Sequence, residues 1–137
     1  MNISDKRRWM NISDFRGKRV FIIGNGGSFA NAEHMANDLL LKRVSAFTMN
    51  AVTLTCFAND FGYEEVFDRW LSVVARKGDV LIALSGSGKS RNILDAIDFA
   101  KRIGMRVIKV FGAGLKMQAA EEHQLKWMHD ICFPKTS

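Results

Sequence analysis

The apolar positions of this chain fall into two alternating patterns: short uninterrupted blocks, and longer stretches in which they recur at helical spacing. The blocks at 19–24, 46–49, 80–84 and 106–111 read as strands. The first is apolar on both faces and therefore belongs in the middle of a parallel sheet. The stretches at 28–42, 63–76, 92–103 and 116–132 read as helices, and 51–59 as a short further one with its Ala, Leu, Phe and Cys turned inward. In 63–76 the stripe is Val66, Phe67, Trp70, Leu71 and Val74; in 92–103 it is Ile93, Ala96, Ile97 and Ala100, with Gly104 as the stop. Strands alternating with helices at this spacing predict an α/β fold. The expected architecture is a doubly wound parallel sheet of about four strands in flavodoxin-like order 2-1-3-4, with right-handed crossovers and helices on both faces. In that order the loops after the first and third strands meet at the switch point where ligands bind.

Those two loops are rich in small polar residues. Ser85-Gly86-Ser87-Gly88-Lys89-Ser90 follows a strand and opens a helix, so its backbone N–H groups, the helix dipole and the hydroxyls of Ser85, Ser87 and Ser90 suit a phosphate. The plain alternative is a strand-to-helix turn capped by Ser90. A nucleotide P-loop is excluded, because Ala83 stands where its first glycine is required. Gly24-Asn25-Gly26-Gly27-Ser28 begins like a dinucleotide fingerprint, but Phe29 occupies the third glycine position and would block close helix packing.

At 137 residues and 47% apolar composition the chain is expected to form one domain, with 1–18 a short polar, basic extension and 19–132 the core. Met-Asn-Ile-Ser-Asp occurs at 1–5 and again at 10–14, a pair that reads as two similar helix starts with Ser as cap. No apolar run is long enough to span a bilayer and no signal-peptide core follows the charged start, so a cytoplasmic location is expected and a membrane is not. Cys56 and Cys132 lack metal-ligand spacing and are expected to be buried free thiols. The net charge of +6 is spread over several segments with few interleaved aromatics; Lys6-Arg7-Arg8 and 16–19 are the dense clusters. That pattern suits a solvated surface, or a field that attracts small anions, better than nucleic acid.

The ionisable residues sit on two helices. His34 and Asp38 are four apart and share a face, the spacing of a ligand or acid–base pair and also of an ordinary surface contact. Glu121 and His129 are eight apart, about 80° around the last helix. Together they form a set suited to zinc or another divalent ion. Glu121, Glu122 and His123 read equally as a solvated face, and His123, Gln124 and Asp130 have no evident partner. Met35, Met117, Met128, Trp127 and Trp70 read as core or subunit contacts.

Gly24-Asn25-Gly26-Gly27-Ser28, His34 with Asp38, Ala58-Asn59-Asp60-Phe61-Gly62-Tyr63 and Ser85-Gly86-Ser87-Gly88-Lys89-Ser90, in this order, resemble the sugar isomerase (SIS) domain, most closely its phosphoheptose isomerase group. That resemblance covers about 19–132. It implies interconversion of sedoheptulose 7-phosphate and D-glycero-D-manno-heptose 7-phosphate, the first committed step toward the heptose of surface polysaccharides such as lipopolysaccharide or capsule. It implies sugar hydroxyls on Asn25, Gly26, Gly27, Ser28, Asn59 and Asp60, with phosphate on Ser85, Gly86, Ser87 and Ser90. Asp38 and Glu121 would also contact substrate. His34, Asp38, Glu121 and His129 would be the metal ligands, zinc being the expected ion, and a homotetramer is implied with active sites between chains.

The departures from the family pattern also matter. Asp38 stands where Glu is typical, withdrawing the carboxylate by about 1 Å, a displacement that can cost ~100-fold in rate. Glu121 replaces Gln and adds charge to a cation site, while Gly86 replaces a common Thr. Two segments usual in the family, a longer N-terminal helical region and a strand before the last helix, are not found within these 137 residues, as expected either of a pared-down member or of a chain with further residues outside this sequence. The chemistry implied is aldose–ketose isomerisation through an enediol, with Asp38 or Glu121 as base, His129 as acid and a divalent ion polarising the carbonyl. The alternative is a non-catalytic SIS module that binds a sugar phosphate or a protein, like the relative that associates with the bacterial replication initiator.

Overall fold

A computed structural model describes residues 10–112 and 114–135. Alternation along one strand accounts for most of the architecture. In β1 (Arg19–Ile23), Val20 and Ile22 point into one apolar cluster and Phe21 and Ile23 into another on the opposite side of the sheet. β1 pairs in parallel with β2 (Ser45–Thr48) and β3 (Val80–Ser85), and β3 with β4 (Arg106–Phe111). The order β2-β1-β3-β4 is the one expected from the alternating pattern.

Helices α1 (Gly27–Leu41) and α5 (Met117–Cys132) cover the first cluster, to which they add Ala32, Met35, Leu39, Met128 and Ile131. Helices α3 (Val66–Val74) and α4 (Arg91–Ile103) cover the second with Val66, Phe67, Leu71, Ile93, Ala96, Ile97 and Ala100. Each Val, Leu, Ile, Phe or Met among them, buried in full, contributes about 1.5–3 kcal/mol by leaving water. Gly104 ends α4 in the left-handed region at φ 88°, as its position in the sequence suggests.

Several local expectations are corrected. The stretch 63–76 is not one helix: a 3₁₀ turn at Tyr63–Glu65 precedes α3, and Ala75 leaves the helix in an extended conformation. The helix α2 (Ala51–Phe61) forms but buries none of its residues. Leu54, Phe57 and Ala58, at i, i+3 and i+4, rest against the core as expected, while Cys56, on the opposite side of the axis with Val52, is exposed. Cys132 is buried as expected. Packing also starts before Arg19, since Phe15 is fully buried in the first cluster. In the second Met-Asn-Ile-Ser-Asp segment the cap is Asn11, not Ser13. Its side chain accepts the Ser13 N–H, and its own N–H donates to Asp14 Oδ2 at 2.9 Å. The first copy of that segment and Lys6-Arg7-Arg8 lie outside the described residues.

Candidate active site

The turn after β1 needs glycine twice. A Cβ on Gly24 would run into the backbone of Ser28, and Gly26 adopts φ 56°, ψ −121°, which side-chain-bearing residues rarely reach. Opposite it, the serine loop after β3 braces itself: Ser85 Oγ accepts the Gly88 N–H at 2.9 Å and Ser87 Oγ the Lys89 N–H at 3.1 Å. Ser90 precedes α4 but makes no side-chain capping bond, so the simple cap is not its role. The Gly112 N–H donates to Ser85 O at 3.1 Å, and this draws the start of α5 over the loop. A Cβ on Gly86 would meet the sulfur of Met117. The two loops and Met117 enclose a cavity of about 60 Å³ lined by Asn25, Ser28, Leu84, Ser85, Gly86, Ser87, Ser90 and Met117. All of these are neutral, so the polar groups the cavity offers are hydroxyls, amides and backbone N–H groups.

From this cavity α1 and α5 run side by side. Glu121 lies against the first turn of α1, where a Cβ on Gly27 would overlap its carboxylate. One turn on, the buried Gln124 donates to Ser28 Oγ at 3.1 Å and accepts from Asn31 Nδ2 at 3.0 Å; Asn31 also donates to Glu121 O at 2.9 Å. Further along, His34, Asp38 and His129 converge. Their ligand atoms lie within 4.8 Å of one another, with His129 Nε2 3.2 Å from His34 Nε2 and 3.3 Å from Asp38 Oδ2.

Asp38 is only 4% exposed, and its Oδ2 lacks a hydrogen-bond partner. Buried carboxylate oxygens ordinarily have donors. An orphaned oxygen facing two imidazole nitrogens is the donor chemistry of a catalytic zinc site, three protein ligands with a further position open. The residues present therefore fit a divalent ion.

The family profile described as SIS domain matches residues 2–112. The chain belongs to the SIS-domain family. Phosphoheptose isomerases are its curated relatives: that of Rhodospirillum rubrum is 39% identical over 132 residues, covering 82% of this chain and 70% of the relative. That of Campylobacter concisus is 42% identical over 106 residues, covering 72% and 56%. Among solved structures, the phosphoheptose isomerase of Neisseria gonorrhoeae superposes with a TM-score of 0.76 at 29% identity, covering 84% of this chain and 74% of that one. That of Francisella tularensis gives 0.77 at 25%, covering 85% and 74%. The chain spans 56% to 74% of the length of the curated relatives it matches.

Within this SIS domain, His34, Asp38 and His129 come together, while Glu121 stands apart from them. Eight residues of α5 amount to about 12 Å of axial rise, so Glu121 and His129 share a broad face without reaching one point. Glu121 instead joins the loop that carries Gly26, Gly27 and Ser28. Asn59 and Asp60 are exposed on the last turn of α2, hydrogen-bonded to each other at 3.1 Å and outside the cavity lining.

Two readings of α5 change: Gln124 has partners and is buried, and Asp130 pairs with Lys126 at 2.8 Å; of the core or subunit-contact reading of Met117, the core half fails, since it is exposed at the cavity. Asn31 and Asn92 were not among the expected site residues, and Tyr63 and Gln124 were named in the sequence without these partners. A polar residue on an otherwise apolar helix face was the available signal for Asn92 and Gln124.

The two thiols differ in environment. Burial, reinforced by the charge of Asp38, pushes Cys132 up to about 11, against the opposing pull of Lys42. Exposed Cys56 is raised by its hydrogen bond to Asp60. Both stay protonated at neutral pH, and the thiolate fraction of Cys56 grows as pH rises. In the folded protein a thiol reagent should label Cys56 alone, faster at higher pH, and reach Cys132 only in denaturant. Mass spectrometry reads this directly, and equal labelling of both in the native state contradicts it.

Proposed function

We propose that this chain, acting as one SIS domain in the cytoplasm, is an aldose–ketose isomerase that converts sedoheptulose 7-phosphate to D-glycero-D-manno-heptose 7-phosphate. The observation that carries the reading is the pairing of an anion-suited cavity at the sheet switch point with the convergent His34, Asp38 and His129 on the two helices leaving it. Ser28 and His34 are six residues apart on α1, about 9 Å of rise, a separation comparable with an extended seven-carbon sugar phosphate. The names of the relatives point the same way.

The serine loop holds the phosphate, and anchoring that non-reacting end orients the carbonyl end. Asp38 is the carboxylate that faces both imidazoles, and it removes the proton from the carbon next to the carbonyl. His129 moves a proton between the two substrate oxygens, which completes the enediol interconversion. His34, Asp38 and His129 would hold a divalent ion, zinc suiting two nitrogens and one carboxylate, and such an ion supplies Lewis-acid polarisation of the carbonyl when bound. Glu121, half-buried beside the first loop, contributes negative charge and a hydrogen-bond acceptor for substrate hydroxyls.

We also infer a homo-oligomer, a tetramer in keeping with the family. The outward side of α2 leaves Val52 78% exposed, with Asn59 and Asp60 on either side of it around the helix, and a second copy covering that side would enclose both.

The reaction is tested by supplying sedoheptulose 7-phosphate in deuterated water. The expected product is the aldose phosphate carrying deuterium at C2, because the abstracted proton exchanges with solvent before it is returned. Absence of aldose from folded, zinc-supplemented protein sinks the proposal, and aldose without deuterium contradicts exchange of the abstracted proton with solvent.

A further inference from the structure

Asn92 is the second residue of α4 and is 3% exposed, in a helix that otherwise buries Ile93, Ala96, Ile97 and Ala100. An amide in such a place costs stability unless its hydrogen bonds are made, and an apolar residue would fill the site without that demand. Both hydrogen bonds found go to one side chain across the switch point. Asn25 Nδ2 donates to Asn92 Oδ1 at 2.9 Å, and Asn92 Nδ2 donates to Asn25 Oδ1 at 2.9 Å. A third segment reaches the same amide, since the Tyr63 hydroxyl, from the 3₁₀ turn after α2, donates to Asn25 Oδ1 at 2.6 Å.

A primary amide offers two donors and two acceptor sites. Tyr63 and Asn92 occupy both acceptor sites of Asn25 and one donor, which leaves a single N–H on a side chain that lines the cavity. We propose that Asn92 and Tyr63 are positioning residues that lock the Asn25 amide, fixing the one N–H available to substrate and the spacing between the two ligand loops. The proposal rests on the isomerase reading for its kinetic consequence and on geometry alone for the lock. Tyr63 is the adjustable member: the residue is 49% exposed, so the hydroxyl can be removed with little loss of packing.

The test compares wild type, Tyr63→Phe, Asn25→Ala and the double variant, using turnover of sedoheptulose 7-phosphate, competition by inorganic phosphate, and solvent exchange of the Asn25 side-chain amide protons by nuclear magnetic resonance. Tyr63→Phe should lower kcat about tenfold, the worth of one hydrogen bond, with KM and the phosphate inhibition constant within about twofold. Its thermal midpoint should fall by no more than about 4–8 °C, the size of one lost hydrogen bond, and it should have no further effect on turnover when Asn25 is already alanine. Amide exchange at Asn25 should speed up about tenfold in Tyr63→Phe, again the worth of one hydrogen bond. Unchanged exchange overturns the lock whether or not turnover is seen. Unchanged kcat, or the same loss in the Asn25→Ala background, overturns the positioning role. Absence of turnover in the wild type sinks the isomerase reading and leaves the exchange comparison to decide the lock.

Discussion

His129→Ala should lower the turnover of sedoheptulose 7-phosphate by about 10²–10⁴-fold while leaving the fold intact, the loss typical of a missing general acid–base group. His129 is 42% exposed at its side chain, so the truncation opens no large core cavity. What it removes is the nitrogen 3.3 Å from Asp38 Oδ2 and 3.2 Å from His34 Nε2. Asp38 would then face one imidazole at 3.6 Å in place of two. The signature is a fall in kcat with an unchanged inhibition constant for inorganic phosphate, because the anion cavity lies at the other end of α5. Circular dichroism checks that the variant is folded. A folded variant with full turnover removes His129 from the chemistry.

The largest stability effect is expected at Phe67. This side chain is fully buried between the sheet and α4, and Phe67→Ala should cost about 3–5 kcal/mol through lost transfer energy and the cavity left behind. Against a total of about 5–15 kcal/mol that is a large share, and the thermal midpoint should fall by about 10–20 °C. The consequence reaches the site, because α3 carries the turn from which Tyr63 contacts Asn25. Thermal unfolding of the variant measures it, and a shift of a degree or two would show that this face of the sheet is not held as described.

The sheet and its order were legible because β1 and β3 are apolar on both faces, which only a covered central strand tolerates. α2 turns Leu54, Phe57 and Ala58 to the core as expected, but Cys56, two residues from Leu54 and so about 160° around the axis from it, faces out. At the site, spacing revealed pairs within a helix but not the axial distance between them. Glu121 and His129 share a face of α5 and yet serve different places, one beside Gly27 and the other beside His34. The amide locks were invisible for a further reason. Asn25 and Asn92 are 67 residues apart and Ser28 and Gln124 are 96 apart, so a polar residue on an apolar helix face signals burial but not which distant side chain satisfies it.

The most direct test follows purified protein with sedoheptulose 7-phosphate before chelation, after chelation and after zinc is restored, with bound metal measured in each sample and in His34→Ala. The expected result is aldose formation that disappears with the chelator, returns with zinc and tracks one ion per His34–Asp38–His129 cluster. Metal-replete, folded protein that leaves the ketose untouched would contradict it.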